Sequence, residues 1–255
     1  MHQVRFRDPA GSVRVGEWDD DGIHFGGDTY AVTEVDVLPP SEPTKIVCIG
    51  RNYADHAAEM DGEVPDRPML FLKPPSSLAG HGSTVELPAS KRIEHEAELA
   101  VVIDEQCHNV PEEEAMDVVR GFTCGNDLSN RDDQRREQNW VRGKAFDNAA
   151  PLGPVLTPPE EVPEDATIRT YVDGEVRQES SIDRLAFSVP ELIAEITSYV
   201  TLEPGDVIMT GTPEGVDELE HGDRVEIEIE GIGTLAHDVV RKDGSRGNSD
   251  TARGD

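Results

Sequence analysis

Short apolar runs and stretches of alternating apolar and polar residues dominate the chain, and this pattern predicts mainly strands. The predicted strands are 45–50, 68–72, 93–103, 121–125, 168–172, 207–209 and 225–229. Helical spacing occurs in fewer segments, and the predicted helices are 52–60, 111–119 and 188–200. Asp173-Gly174 after the run at 168–172 is typical of a hairpin turn. We therefore expect an α+β, strand-rich mixed β architecture.

Turn residues and prolines divide the chain into three parts. Residues 1–40 resemble short strands broken by turns, and Pro39, Pro40 and Pro43 predict a stiff linker after them. We expect a small N-terminal β module at 1–43, a main domain at 44–241 and a flexible tail at 242–255. No apolar run approaches the ~18 residues of a membrane helix, and the first residues lack the apolar stretch of a secretory signal. We expect a cytoplasmic protein with no membrane partner.

Charge narrows the range of partners. The chain has 53 acidic and 23 basic residues, for a net charge of -30, which disfavours binding to nucleic acid. Only five of the basic residues are lysines. Acid excess with scarce lysine indicates a halophilic protein, adapted to a salt-rich cytosol that screens the repulsion. The three cysteines are far apart and predict neither a disulfide framework nor a zinc site.

Two glutamates on one predicted strand are candidate metal ligands. Residues two apart on a strand share a face, so Glu96 and Glu98 point the same way, roughly 6.7 Å apart at the backbone. That spacing allows both to bind one hard cation. With 53 acidic residues in 255, roughly eleven such pairs arise by chance, so the apolar run at 99–103, which predicts a buried strand, adds the support. Asp127, after another strand, is either a third carboxylate or a helix cap.

Three further segments could carry chemistry or could be plain surface structure. His56 and Glu59 are three apart on a predicted helix, where they form half of a water-activating dyad or an exposed ion pair. Lys144 lies in a glycine-led turn, where it could hold an oxyanion or simply face solvent. Residues 210–216 offer hydroxyls and amides for a carboxylate, or form an ordinary turn.

Taken in order, six segments resemble the motifs of the fumarylacetoacetate hydrolase family. They are IGRNYADH (49–56), FLKP (71–74), HEAELAVVI (95–103), NDLSNRDDQ (126–134), GKAFD (143–147) and TGTPEGV (210–216). The resemblance extends over about 45–240 and is nearest to the acylpyruvate hydrolase and oxaloacetate decarboxylase branch.

The resemblance implies a mixed β-roll fold of the family's C-terminal-domain type and a homodimer. It implies that Mg²⁺ or Mn²⁺ is bound by Glu96, Glu98 and Asp127. It implies a catalytic dyad and a catalytic or oxyanion-holding lysine, namely His56, Glu59 and Lys144. The residues that it implies for the substrate pocket are Arg51, Lys73, Arg131, Gln134 and Thr212. Residues 148–150 depart from the expected pattern and leave the substrate's side chain open.

The resemblance also implies an enzyme that acts on a small 2-oxo acid. The leading interpretation is a hydrolase that cleaves the C–C bond of a 2,4-dioxo acid of the acylpyruvate type through a metal-stabilised enolate. The alternatives are a 2-hydroxyhepta-2,4-diene-1,7-dioate isomerase or an oxaloacetate-type decarboxylase, which need the same enolate without an attacking water. A hypothesis of another class is a non-catalytic cation-binding protein. Burial discriminates between the classes, because metal ligands of an enzyme should converge in a cleft.

Overall fold

The computed structural model describes residues 2–60, 62–89 and 91–242. The predicted tail therefore lies outside the described residues, apart from Lys242. In this part of the chain no helix combines the length and the apolar character that crossing a membrane requires.

Strands make up most of the regular structure in the described residues. In chain order they are β1 (Gln3–Arg7), β2 (Val13–Asp19), β3 (Gly22–Phe25), β4 (Asp28–Tyr30), β5 (Asp36–Val37), β6 (Ile46–Gly50), β7 (Met69–Lys73), β8 (Leu78–Ala79), β9 (Thr84–Leu87), β10 (Ile93–Glu94), β11 (Ala97–Ile103), β12 (Val119–Asn126), β13 (Ser129–Asn130), β14 (Ala150–Thr157), β15 (Thr167–Val172), β16 (Glu175–Ser181), β17 (Val207–Met209), β18 (Arg224–Ile229) and β19 (Gly233–Arg241). The α-helices are α1 (Ala54–Glu59), α2 (Arg131–Gln134), α3 (Val141–Lys144) and α4 (Val189–Thr197). The 3₁₀ helices are Val32–Glu34, Pro75–Ser77, Glu112–Val118, Pro159–Glu161 and Ile182–Arg184. The predicted strand-rich α+β class is confirmed.

Two large sheets and one small one organise these strands. The main sheet has the order β4-β3-β2-β1-β14-β12-β11-β17-β6-β7, with β5 beside β1 and β8 beside β14. The second sheet has the order β16-β15-β18-β19-β9, and β10 pairs with β13 alone. Because β1 pairs with β14, the strands of the predicted N-terminal module continue the main sheet.

The core lies on both faces of the central strand β11. Leu99, Val101 and Ile103 pack into the larger apolar cluster, which also contains residues of the second sheet. Ala100 and Val102 alternate with them and pack into a cluster on the opposite face. A strand buried on both faces is held rigidly, and this is the strand that follows Glu96 and carries Glu98.

Two predicted elements differ from the structure. The strand predicted at 93–103 is interrupted, because the amide of Glu96 donates to Asn126 Oδ1 at 2.9 Å and the amide of Ala97 donates to Gln178 Oε1 at 3.1 Å. These side chains replace the partners that a continuous strand would need. The helix predicted at 111–119 is the 3₁₀ helix Glu112–Val118, whose buried residues Ala115 and Val118 match its three-residue turn.

Candidate active site

Three carboxylates meet in the core where β11 and β12 lie side by side. Glu98 lies on β11, Glu96 immediately precedes it, and Asp127 follows β12. The strands are antiparallel with Ala97 opposite Asn126, so the amide of Asp127 donates to the Glu96 carbonyl at 2.9 Å. One carboxylate oxygen from each residue lies within 4.8 Å of the others, and all three residues are buried. The structure thus brings the predicted set together, and we term it the acidic triad.

The acidic triad has the donor chemistry of a site for a hard divalent cation. In the described part of the chain Glu98 forms no ion pair, and its carboxylate accepts a hydrogen bond from the amide of Gly211 at 2.7 Å. Burial, followed by the charges of Asp127 and Glu96, raises the pKa of Glu98 well above its usual value. A divalent cation would relieve this repulsion. The residues therefore fit Mg²⁺ or Mn²⁺, which Glu96, Glu98 and Asp127 would hold.

Two buried lysines neutralise the rest of the acidic triad. Lys144, at the end of α3, donates to Glu96 Oε2 at 2.6 Å and to Asp127 Oδ2 at 2.8 Å. Lys73, at the end of β7, places Nζ 2.6 Å from Asp127 Oδ1. Burial lowers the pKa of Lys144, but the charges of Asp127 and Glu96 outweigh it and raise that pKa above its usual value. Lys144 is therefore cationic at neutral pH.

Arg131 connects the acidic triad to a fourth acid. Its Nη2 lies 2.5 Å from Glu96 Oε1, and its Nε donates to Glu94 Oε2 at 2.6 Å. The remaining Nη1 donates to Gln134 Oε1 at 2.8 Å, so the first and last side chains of α2 are oriented together. Burial raises the pKa of Glu96, but Lys144 and Arg131 outweigh it and hold that pKa well below its usual value.

Close packing fixes α2 against α3. A Cβ at Gly143 would lie 2.9 Å from the Cα of Gln134, so only glycine allows this approach. The glycine before Lys144 therefore sets the distance between the helix that carries this lysine and the helix that carries Arg131.

The predicted dyad forms on α1. His56 Nδ1 lies 3.1 Å from Glu59 Oε2, and the other oxygen of Glu59 accepts from the amide of Gly215 at 3.0 Å. His56 is buried rather than solvent-exposed, unlike the surface ion pair that was the alternative. With Nδ1 engaged by a carboxylate, Nε2 is the ring nitrogen that remains to exchange a proton.

Thr212 is positioned by a buried amide from the second sheet. Gln178 on β16 donates through Nε2 to Thr212 Oγ1 at 2.9 Å and to the Pro213 carbonyl at 2.8 Å. Its Oε1 lies 3.0 Å from His95 Nδ1 and also accepts from the Ala97 amide. Gln178 thus joins the loop of Thr212 to the backbone between Glu96 and Glu98. We term these contacts the Gln178 bridge.

A cavity of about 200 Å³ lies beside these groups. Eight of the predicted site residues line it, namely Arg51, His56, Glu96, Glu98, Arg131, Gln134, Lys144 and Thr212. The other three support the lining from behind: Glu59 contacts His56, Asp127 contacts Lys144, and Lys73 contacts Asp127. The remaining wall is largely apolar and includes Met60, Met69, Phe71 and Trp140. Drug-sized ligands bind in pockets of about 300–1,000 Å³, so this smaller cavity suits a smaller molecule.

Sequence reasoning missed three residues that contact this site. Glu94 binds Arg131, Gln178 forms its bridge, and Arg135 lines the cavity. Glu94 could have been predicted from its neighbours in the sequence, because it shares the two-residue spacing of Glu96 and Glu98. Gln178 has none, because it lies 81 residues from its partner Ala97.

Comparisons with known proteins cover the part of the chain that carries these residues. Residues 45–240 match the family described as fumarylacetoacetate (FAA) hydrolase C-terminal. Oxaloacetate tautomerase YisK of Bacillus subtilis is 40% identical over 230 residues, which cover 84% of this chain and 76% of that protein.

Solved structures share the fold. The crystal structure of 5-carboxymethyl-2-hydroxymuconate delta-isomerase from Mycobacterium smegmatis is 38% identical with a TM-score of 0.86, covering 95% of this chain and 100% of that one. That of fumarylpyruvate hydrolase from Pseudomonas aeruginosa, in complex with Mn²⁺ and pyruvate, is 36% identical with a TM-score of 0.74, covering 81% of this chain and 92% of that one. Proteins similar to this chain thus include a tautomerase, an isomerase and a hydrolase.

Proposed function

The chain belongs to the fumarylacetoacetate hydrolase family, and from this we propose that it is a divalent-metal-dependent hydrolase that cleaves a C–C bond of a small 2,4-dioxo acid of the acylpyruvate type. One observation carries the proposal: His56 of the dyad and Glu96 and Glu98 of the acidic triad line the same small cavity. A protein that only stores a cation has no need of a buried base beside its ligands. The position of His56 therefore favours an enzyme over a cation-binding protein.

The residues of the chain suffice for the proton transfers of hydrolysis. His56 takes a proton from water through Nε2, and the resulting hydroxide attacks the C4 carbonyl. Lys144 and Gln134 are the donors for the oxyanion that forms at that carbonyl. The C3–C4 bond then breaks, the acyl half leaves as a carboxylic acid, and the other half leaves as a pyruvate enolate that is protonated at C3. A bound divalent cation would supply Lewis-acid stabilisation for the charge on the 2-oxo acid.

Tautomerisation or isomerisation is the second candidate, and the similarity to the oxaloacetate tautomerase and to the delta-isomerase supports it. In that case His56 moves a proton to or from a carbon of the substrate, C3 in oxaloacetate and C5 in the 2-hydroxy-2,4-dienoate, and no water attacks. Oxaloacetate decarboxylation would likewise use the enolate without water. The same set of residues therefore serves all three reactions.

Steady-state assays separate these candidates. Acetylpyruvate, oxaloacetate and 2-hydroxyhepta-2,4-diene-1,7-dioate would each be tested with Mg²⁺, with Mn²⁺ and with a chelator. We expect turnover of acetylpyruvate to acetate and pyruvate that stops in chelator and returns when metal is added. Turnover of only oxaloacetate or the dienoate would favour the second candidate, and no metal-dependent turnover of any of the three would refute both.

A further inference from the structure

Asn52 has a fully buried side chain between β6 and α1, and it is not among the residues that line the cavity. Its Nδ2 donates to the Thr210 carbonyl at 2.8 Å and to the Phe187 carbonyl at 3.0 Å. Its Oδ1 accepts from the Phe187 amide at 2.7 Å. The Asn52 carbonyl also accepts from the amide of Ala186 at 2.8 Å. The residue therefore joins three parts of the chain that are far apart in sequence.

One of these parts is supported by the core. Residues 186–187 lie directly before α4, whose N-terminus is capped by the side chain of Ser188. Tyr53, the residue after Asn52, pairs with Leu185 in an isolated β-bridge. The start of α1 is therefore fastened to a helix that packs in the larger apolar cluster through Leu192, Ile193 and Ile196.

The other contact of Asn52 leads to the acidic triad. The amide and the hydroxyl of Thr210 both donate to the Leu99 carbonyl, at 3.1 and 3.0 Å. The next amide, that of Gly211, donates to Glu98 Oε2. Gly211 has a φ of 103°, and a Cβ at this position would lie only 2.8 Å from the Cβ of Asn52. Asn52 thus packs directly against the residue whose amide binds Glu98.

The dyad helix α1 depends on contacts of this kind. It has six residues, too few to be stable by itself in water. Asn52 holds its N-terminal side, and Glu59 holds its C-terminal side by accepting from the amide of Gly215. Both partners belong to the loop 210–216, so one loop fixes α1 at two points. His56 lies between these points and is thereby placed relative to the acidic triad.

We propose that Asn52 is a positioning residue for the reaction, because its side chain sets where the base His56 stands relative to the proposed metal ligand Glu98. The inference rests on the proposed function, which makes His56 the group that moves a proton. A displacement of about 1 Å in a catalytic group can lower a rate by about 10²-fold. A buried amide that joins α1 to the loop of Glu98 controls such a displacement without touching the substrate.

Asn52→Ala removes the three side-chain hydrogen bonds, and Ser188→Ala is the matched control. Ser188→Ala removes the cap of α4 and so destabilises the same part of the chain, but it leaves the contacts of Asn52 in place. The kcat would be measured at saturating Mg²⁺ with whichever of the three substrates the unmodified protein turns over. We expect a loss of about 10²-fold in Asn52→Ala, with a much smaller change in KM, and an unchanged kcat in Ser188→Ala.

Two further variants test whether Asn52 acts through the base. In Asn52→Ala/His56→Ala the kcat should equal that of His56→Ala, because misplacing a base has no effect once the base is gone. Asn52→Ser keeps one hydroxyl donor, so its kcat should lie between those of Asn52→Ala and the unmodified protein, and it carries the same comparisons if Asn52→Ala does not fold. An additive loss in the double variant, or a kcat in Asn52→Ala equal to that of Ser188→Ala, would overturn the inference alone.

Hydrogen exchange tests the placement of α1 without any substrate. If the unmodified protein turns over none of the three substrates, the proposed function fails, and this measurement still decides the inference. Relative to the amides of β11, the hydrogen-bonded amides of Ala57 and Met60 should exchange at least about tenfold faster in Asn52→Ala than in Ser188→Ala. Equal relative rates in the two variants would show that Asn52 does not hold α1.

Discussion

At the scale of single residues, Glu98 differs from its neighbours because no cation in the described chain pairs with it, whereas Lys144 bridges Glu96 and Asp127. Removing its charge should therefore weaken metal binding while relieving repulsion in the metal-free protein. We expect Glu98→Gln to lower the affinity for Mg²⁺ at least about tenfold. In chelator the variant should unfold at a temperature equal to or above that of the unmodified protein.

Calorimetric titration with Mg²⁺ and thermal unfolding with and without chelator provide the two readouts. Glu160→Gln, on an exposed 3₁₀ helix, serves as the control that changes the same functional group. Unchanged Mg²⁺ affinity in Glu98→Gln would contradict the assignment of this carboxylate as a ligand.

His56 allows the proposed reactions to be separated within one variant. If it activates water, His56→Ala should reduce hydrolysis by about 10²–10⁴-fold, the usual contribution of a general base. Exchange of the substrate's C3 protons with solvent, followed by NMR, should fall much less, because enolate formation depends on the acidic triad and its lysines. Equal losses of exchange and hydrolysis would instead make His56 the base that acts on C3.

At the scale of elements, the Gln178 bridge connects the second sheet to the start of β11 and to the loop that carries Thr212. Gln178→Met keeps the side chain's size but leaves several buried donors unsatisfied, including the amide of Ala97. We expect a loss of about 2 kcal/mol or more in the free energy of unfolding. We also expect weaker Mg²⁺ binding, since Ala97 lies between Glu96 and Glu98.

Thr170→Val is the comparison for this variant, because it removes one donor to Gln178 Oε1 and leaves the bridge to the loop intact. Chemical denaturation and Mg²⁺ titration would be run on both. A stability loss without any change in Mg²⁺ affinity would show that the bridge supports the fold and does not position the ligands.

A second link between the sheets depends on an uncharged histidine. His237 on β19 accepts a hydrogen bond from Asn126 at 2.9 Å, and burial lowers its pKa to about 4. The unfolded chain, with a histidine pKa near 6.5, binds more protons between these values, so stability falls as pH drops from about 6.5 to 4. His237→Gln keeps a hydrogen-bond acceptor at this position. In this variant the loss of unfolding free energy that His237 causes at low pH, on the order of 3 kcal/mol or less, should disappear. Denaturant unfolding from pH 4 to 7 measures it; identical slopes in both proteins would contradict it.

The elements also show where sequence patterns succeed. The apolar strands β6 and β17 and the amphipathic helix α4 follow local hydrophobic spacing, so they were predictable. The break before β11 was not, because it depends on Asn126 and Gln178, which lie 30 and 81 residues from their partners. The motif resemblance identified the acidic triad and the dyad, but it did not identify Arg135, which lies one residue beyond the motif at 126–134 and lines the cavity.

At the scale of the whole molecule, a net charge of -30 makes stability depend on screening. Outside the buried site, many of the described ion pairs have a solvent-exposed partner, and such pairs contribute little, so they do not offset the excess of acid. Raising KCl from 0.1 to 2 M should therefore raise the unfolding temperature by roughly 4 °C or more. A melting temperature that is independent of KCl would refute the proposed adaptation to salt.

The site is built partly from strands of the main sheet and partly from segments that follow strands and helices. This division suggests how new substrate specificities could be engineered. The acidic triad lies on or directly beside the paired strands β11 and β12 in the centre of the main sheet, whereas Arg51, Met60 and Arg135 of the cavity lining follow β6, α1 and α2. Randomising Arg51, Met60, Arg135 and Trp140 in a library should therefore diversify substrate choice while leaving the reactive centre intact. Grafting residues 135–142 from a relative, with Arg131, Gln134 and Lys144 left in place, is the corresponding recombination experiment. The fold thus combines a rigid acidic triad with cavity-lining residues that can be exchanged to change substrate specificity.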